Sequence, residues 1–196
     1  VRVETVAVDA GRAAVRVRLA HVPRALRPVL EIAAVRGRRF DFDTLLDVAG
    51  EPEAPLLDAV EALVKRRLWR EEAEGGVYDF SHDKVREVVY RDLGGARRRW
   101  LHQRVAEVLE RRGDGLLRDH AFEHEHEREA QLAEHFERAH VWAKALHHLV
   151  RAGQHSQALF ALRDALHWFD RAAALCAAHP QALDAAQRLG VHALRG

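Results

Sequence analysis

The stretch from Tyr78 to Tyr90 constrains the fold most, because it predicts a strand that runs directly into a helix. Ser81 is a good helix cap, and the residues after it repeat at helical spacing. The apolar positions of that helix are Val85, Val88 and Val89. His82 and Asp83 lie at the junction, beside backbone N–H groups that can bind an anion such as phosphate. The junction is therefore a fold marker and a candidate ligand sensor, but spacing alone favours simple capping by Ser81 and Asp83, with His82 packed against the hairpin wing.

The sequence before this junction predicts short helices and a hairpin. Residues 1–22 alternate weakly around a glycine-containing turn, which favours a β-hairpin. Short elements are predicted next: helices at 26–36, 44–48 and 55–67, and strands at 68–72 and 77–80. Three helices followed by a two-stranded hairpin is the order of a winged helix, which we place at residues 23–93.

The rest of the chain predicts helices. A connecting helix should end at Gly113, and a His-rich linker or a frayed helix start should follow it, so that residues 94–125 join two domains. Four further helices are predicted, at 127–139, 141–160, 163–177 and 181–194. We assign residues 126–196 to helical repeats. The expected fold class is mainly α, a winged helix with a small β-hairpin wing followed by an α-α superhelix.

A repeat signal supports that superhelix. Leu149, Gly153, Ala165, Phe169 and Ala172 have the spacing L-x3-G…A-x3-F-x2-A. This spacing resembles the tetratricopeptide pattern, in which small residues let paired helices approach and an aromatic ring fills the gap. The tyrosine of that pattern is replaced by Ser156, and its proline is displaced to Pro180.

Composition excludes several classes of function. The 31 Lys and Arg residues balance 30 Asp and Glu residues, so net charge does not call for nucleic acid or an anionic membrane. No apolar run approaches the ~20 residues of a membrane span. The single Cys176 excludes an intramolecular disulfide and fits a reducing cytoplasm. The absence of methionine, even at position 1, indicates a piece of a longer protein.

Motifs of catalysis and metal binding are missing. There is no G-x4-GK-[ST] phosphate loop and no G-x-S-x-G, so we do not expect this chain alone to be an enzyme. A histidine-rich cluster contains His120, His124 and His126. It lacks H-E-x-x-H and a third ligand in fixed geometry, and such clusters are more often solvated. We make the same interpretation for His147 and His148, and we expect no metal or cofactor.

Direct DNA binding by the winged helix is the main alternative function. Its recognition helix would be residues 55–67, and this region offers Glu53, Asp58 and Glu61, which would repel phosphates. Basic residues come only at the helix end. A second basic run, Arg97, Arg98 and Arg99, is a candidate contact for a partner or an anion. We favour a partner-facing surface over nucleic acid.

Several segments together resemble one known family. They are residues 29–41, 59–64, 78–90, 97–102, 133–136 and 144–153. Their order and spacing resemble the region downstream of the nucleotide-binding core in bacterial STAND ATPases, among them LuxR-type and SARP-type transcription regulators and modules attached to some adenylate cyclases. The resemblance covers about residues 23–177, and the last two segments resemble the opening of a tetratricopeptide sensor array.

The resemblance implies a role in signal transduction. In that family the winged helix packs on the N-terminal ATPase core and helps to hold the closed, ADP-bound state. By resemblance to the Met-His-Asp motif of related switch proteins, His82 would contact the nucleotide phosphate and Asp83 would cap or orient it. Ser81 replaces the Met. ATP or ADP would belong to the parent protein, and a protein or small-molecule inducer would bind the helical array. A plain scaffold without a switch is the other alternative.

Overall fold

The structure, a computed structural model, describes residue 13 and residues 15–73, 75–116 and 121–184. The described residues are mainly helical, as their apolar periodicity predicts, and they also contain a small three-stranded antiparallel sheet. It divides into two compact units, Val1–Leu101 and His102–Gly196, called the first and second unit below.

The first unit alternates short helices with short strands. Its helices are α1 Arg27–Arg36, α2 Phe42–Ala49, α3 Glu53–Lys65 and α4 Asp83–Asp92, and a 3-10 turn at Arg24–Leu26 precedes α1. Its strands are β1 Arg39–Asp41, β2 Trp69–Glu71 and β3 Val77–Phe80. Asp41 caps α2 by accepting a 2.7 Å hydrogen bond from the Thr44 amide. Gly50 ends α2 at a φ of 65°, a conformation that glycine adopts without strain.

The sheet has the order β1-β3-β2, and its aromatic face is part of the core of the first unit, with aliphatic side chains of the helices. Phe40 lies opposite Tyr78, and Trp69 lies opposite Phe80. The ring centroids of Phe40 and Trp69 are 4.8 Å apart in an edge-on arrangement, which aromatic pairs favour. The sequence predicted only the β2–β3 hairpin and took Phe40 and Asp41 as the approach to a helix. The sheet therefore has one strand more than expected.

The expected hairpin at residues 1–22 is wrong where the structure describes it. Residues 15–20 are helical, and residues 1–12 and 14 lie outside the described part. Val15, Leu19 and Val22 are the less exposed apolar residues here, and their spacing of four and three is that of a helix. Val17, which the alternating pattern would have counted with them, is 61% exposed.

The second unit is built from α-helices in the part that the structure describes. Its elements are the C-terminal part of α5 Gly95–Leu116, followed by α6 Ala121–Ala139, α7 Trp142–Ala158 and α8 Leu162–Ala178. The turns after α6 and α7 are alike, with His140 and Phe160 at φ of 62° and 57°. In both turns the amide of this residue and the amide of the residue after it donate to carbonyls of the preceding helix, as in a Schellman motif.

Three helix boundaries differ from expectation. α5 continues through Gly113, which packs against the Arg128 guanidinium: a Cβ there would lie 1.8 Å from Arg128 Cζ. The predicted linker is already helical from Ala121. The predicted helix at 181–194 is not present at residues 181–184, and its remainder lies outside the described residues.

Candidate functional site

At the strand-to-helix junction, His82 is the N-cap residue of α4. The sequence predicted Ser81 for this position, one residue earlier. His82 has an extended backbone and makes no side-chain capping bond. Ser81 is not the cap, because its amide continues the strand pairing and donates to the Leu68 carbonyl at 3.0 Å. The Ser81 hydroxyl is buried and has no hydrogen-bond partner within the described residues. The junction is therefore fixed by sheet pairing and not by a serine cap.

The two predicted sensor residues have different surroundings. Asp83 Oδ2 accepts from Arg38 Nη1 at 3.2 Å, and Arg38 Nε also reaches Asp79 Oδ1 at 3.3 Å. This arginine therefore links β3 to the first turn of α4. His82 is exposed, and its ring makes no hydrogen bond or ion pair with any described residue. The structure brings Asp83 to Arg38 and leaves the His82 imidazole available.

The geometry of this junction suits the binding of an anion. A free imidazole at the start of a ten-residue helix can donate to an anion, and the helix dipole favours negative charge there. A proton-transfer role would need a partner that orients the ring, and Asp83 is engaged elsewhere. The exposed Arg38 is already neutralised by two carboxylates, so His82 is the group that remains for a ligand.

Two residues of the basic run 97–99 are used inside the first unit. Arg97 Nε pairs with Glu31 Oε2 at 3.1 Å and lies over the Trp100 ring. Arg98 donates to the Leu93 carbonyl at 3.0 Å, where it satisfies the end of α4, and stacks over Tyr90. Arg99 is exposed and contacts no described residue through a hydrogen bond or ion pair. Only Arg99 of the three remains fully available to a partner or an anion.

The exposed face of α3 is acidic along most of its length. Glu53, Asp58 and Glu61 are exposed, and Lys65 Nζ is paired with Glu61 Oε2 at 3.1 Å. Arg66 and Arg67 lie just beyond the helix end. A helix that docks in a DNA groove needs cations along its length, because phosphate contacts supply most of the affinity.

The second unit buries a charged network that the sequence interpretation missed. His148 is 4% exposed, with Nδ1 2.6 Å from Glu129 Oε2 and Nε2 3.3 Å from Glu110 Oε1. Both partner atoms are carboxylate oxygens, which accept hydrogen bonds from the imidazole ring. Lys144 Nζ completes the network at 2.6 Å from Glu110 Oε2. The available signal was the spacing of Lys144, His148 and Arg151, which lie on one face of α7.

The two carboxyl groups of this network have lowered pKa values. Burial is the largest influence and would raise the pKa of Glu129, but a hydrogen bond from His148 and the charges of His148, Arg151 and Arg128 lower it overall. The pKa of Glu110 is likewise lowered against burial, by Lys144 and His148. Desolvation by burial, with the positive charge of His148, lowers the pKa of the neighbouring His147.

A second buried pair joins α5 to α6. The Nδ1 atoms of His102 and His135 are 2.9 Å apart, and both side chains are buried. One ring must donate and the other accept, so this contact holds a single proton between the two rings. Within the described residues, no group of three or more His, Cys, Asp and Glu side chains could hold a metal ion. His120 and the side chains of His124 and His126 lie outside them.

No protein family, curated protein or solved structure matches this chain. Among the described helices, none has the length and apolar character needed to cross a membrane.

Proposed function

We propose that this chain is a regulatory part of a bacterial STAND-type signal-transduction ATPase of the LuxR or SARP kind. Residues 23–93 would form its winged helix, and residues 126–196 would begin a tetratricopeptide-like array. The chain would couple the nucleotide state of an N-terminal ATPase core to the binding of a protein or small-molecule inducer. Inducer on the array would favour undocking of the winged helix from the core by a population shift.

The element order of the first unit supports the winged-helix assignment. Helices α1, α2 and α3 are followed by the hairpin β2–β3, and β1 joins the sheet beside β3. The β2–β3 turn then corresponds to the wing, and α4 leaves the wing directly. On this assignment, His82 would lie at the point where the wing ends.

The packing of α7 on α8 supports the repeat assignment. A Cβ on Gly153 would lie 2.4 Å from Cε1 of Phe169, so the two helices meet through a glycine and an aromatic ring. Ala152, Ala165 and Ala172 are buried small residues. This is the role that small and aromatic positions have in tetratricopeptide helices.

The single observation that carries the proposal is the free imidazole of His82. Its neighbour Asp83 is held by Arg38, while His82 is exposed and unbonded among the described residues. A histidine held in this way is ready to donate to a phosphate supplied by another domain. ADP on the ATPase core is the ligand that the resemblance implies, and the core would provide the rest of the pocket.

The decisive test of this proposal is the sequence that precedes Val1 in the parent protein. We expect a G-x4-GK-[ST] phosphate loop, followed by an acidic metal-binding strand. The proposal is wrong if the parent protein has no phosphate loop.

Direct DNA binding is the alternative that the acidic face of α3 opposes. It is tested by titrating duplex DNA into this chain at low and moderate salt. A direct reader should bind with an affinity that falls steeply with salt, because cations are released from the duplex. We expect weak binding that mutation of Lys65, Arg66 and Arg67 does not change.

A plain scaffold is the alternative that one surface of the second unit favours. Leu159, Phe160, Leu162 and Leu166 are exposed around the turn from α7 to α8, and Phe160 is 88% exposed. Such a patch is typical of a protein contact. It fits both a scaffold and a sensor array, and the two are separated by whether the parent protein changes its nucleotide affinity when a partner binds.

A further inference from the structure

A cavity of about 370 Å³ lies in the first unit between the helical residues 15–20, α1 and α4. This volume is within the range of small-molecule sites, which are typically apolar with a few polar groups. The apolar lining residues are Leu19, Val22, Leu30, Val89 and Leu93. Three separate elements converge on the cavity, so its shape is set by packing and not by a single loop.

Among the described residues, the charges around the cavity leave one cation without a partner. Asp92 is paired with Arg16 at 3.1 Å, and Glu31 is paired with Arg97 at the same distance. Arg27 also lines the cavity and is exposed, and it makes no hydrogen bond or ion pair with any described residue. Both carboxylates at the rim are therefore neutralised, and Arg27 supplies an excess positive charge.

We propose that this cavity binds a small amphipathic carboxylate, with its apolar body between α1 and α4 and its carboxylate on Arg27. A guanidinium matches a carboxylate with two parallel hydrogen bonds. The apolar lining would leave the polar groups of a sugar or a nucleoside without partners. A small monoanion fits better than a dianion, because Arg27 is the single lining cation, within the described part of the chain, that the pairs with Glu31 and Asp92 do not use. This site does not depend on the proposed link to an ATPase.

The test uses octanoate as the probe, with octylammonium and 1-octanol as probes of the same chain length. Each is titrated into the 196-residue chain, and binding is located by amide shifts in two-dimensional NMR. We expect octanoate to bind most tightly and to shift the amides of Leu30, Val89 and Leu93. Equal affinity for the three probes, or shifts centred on another apolar surface such as Phe160, would overturn the proposal.

Two substitutions and one control refine the test. R27Q should weaken octanoate roughly three- to tenfold and leave 1-octanol unchanged, since one exposed charge-assisted contact is lost. R24Q is the matched control, because Arg24 is exposed on the adjacent turn and does not line the cavity. A20F should fill the cavity from its exposed wall and abolish binding of both probes. The proposal fails if R27Q and R24Q have the same effect, or if A20F binds octanoate normally.

Discussion

The two units of this chain are built around different kinds of core. The first unit buries the aromatic cluster Phe40, Trp69, Tyr78 and Phe80 and keeps its ion pairs at the surface. The second unit also has an apolar core, but it buries Glu129, His102, His135 and His148 within it. Apolar burial stabilises at any ordinary pH, whereas buried charges stabilise only while every partner is present and correctly ionised. The second unit should therefore be the one whose stability depends on conditions.

The largest effect expected is from removing the centre of the aromatic cluster. F40A should destabilise the first unit by roughly 3–5 kcal/mol, because Phe40 packs against three other aromatic rings and a cavity would remain. F160A is the matched control in the second unit, since Phe160 is almost fully exposed. Native-state hydrogen exchange of the β3 amides measures the first effect. Comparable losses for F40A and F160A would contradict the described core.

Removal of Glu129 should have the next largest effect. E129A leaves His148 and Arg151 without their buried acceptor, so we expect roughly 3 kcal/mol of destabilisation, measured by exchange of the α7 amides. E134A removes an exposed partner of Arg138 on the same helix and should cost well under about 1 kcal/mol. If both variants lose the same stability, the buried network does not stabilise the second unit.

A methyl group at Gly153 tests the close approach of α7 and α8. G153A should destabilise the second unit by roughly 2 kcal/mol, because the added carbon overlaps the Phe169 ring. G95A is the control, since nothing lies within 4 Å of a Cβ there. The double variant G153A/F169L should recover part of the loss. Unfolding in urea, followed by circular dichroism, gives all three free energies, and a neutral G153A would refute the proposed contact.

The smallest effect expected is a dependence on pH that belongs to the second unit. The pKa values of Glu110 and Glu129 are lowered below their ordinary value of 4.5. Their stabilisation is therefore fully present above pH 4.5 and is lost as the pH falls through the lowered values. In E129Q the Glu129 part of this dependence should be absent, so its free energy of unfolding should converge on that of the wild type at low pH.

The salt dependence distinguishes the pH dependence of the second unit from the one that Glu72 causes in the first unit. A hydrogen bond from Arg39 lowers the pKa of Glu72, but that pair is exposed. Salt should therefore weaken the contribution of Glu72 and leave that of the buried Glu129 largely intact. A pH dependence that salt removes completely would assign it to the surface pairs instead.

Local sequence patterns predicted the elements whose signals lie within one segment. The stripe Val85, Val88 and Val89 is buried on α4 as expected, and Gly153 meets Phe169 as their spacing implied. β1 was missed because it has three residues and pairs with β3, which follows after two intervening helices. The segment at 15–20 was misassigned because its valines fit both a strand and a helix.

The candidate site residues divide in the same way, into features that one segment predicts and features that depend on other elements. The sequence placed His82 between a strand and a helix, but spacing alone favoured its packing against the hairpin, whereas the side chain is exposed. The engagement of Asp83 by Arg38 and of Arg98 by the end of α4 depends on residues from other elements. The burial of His148 depends on Glu110 and Glu129 from two other helices, so a pattern within α7 could not establish it.

The central claim, that His82 contacts a nucleotide phosphate supplied by a preceding domain, is tested by ADP retention in the parent protein. ADP is loaded, and its dissociation is followed after dilution for the wild type, H82A and H21A. His21 is an exposed histidine of the same unit whose ring bonds to its own helix, so H21A is the control. We expect H82A to release ADP several-fold faster than both other proteins. Equal release from H82A and H21A would contradict the account.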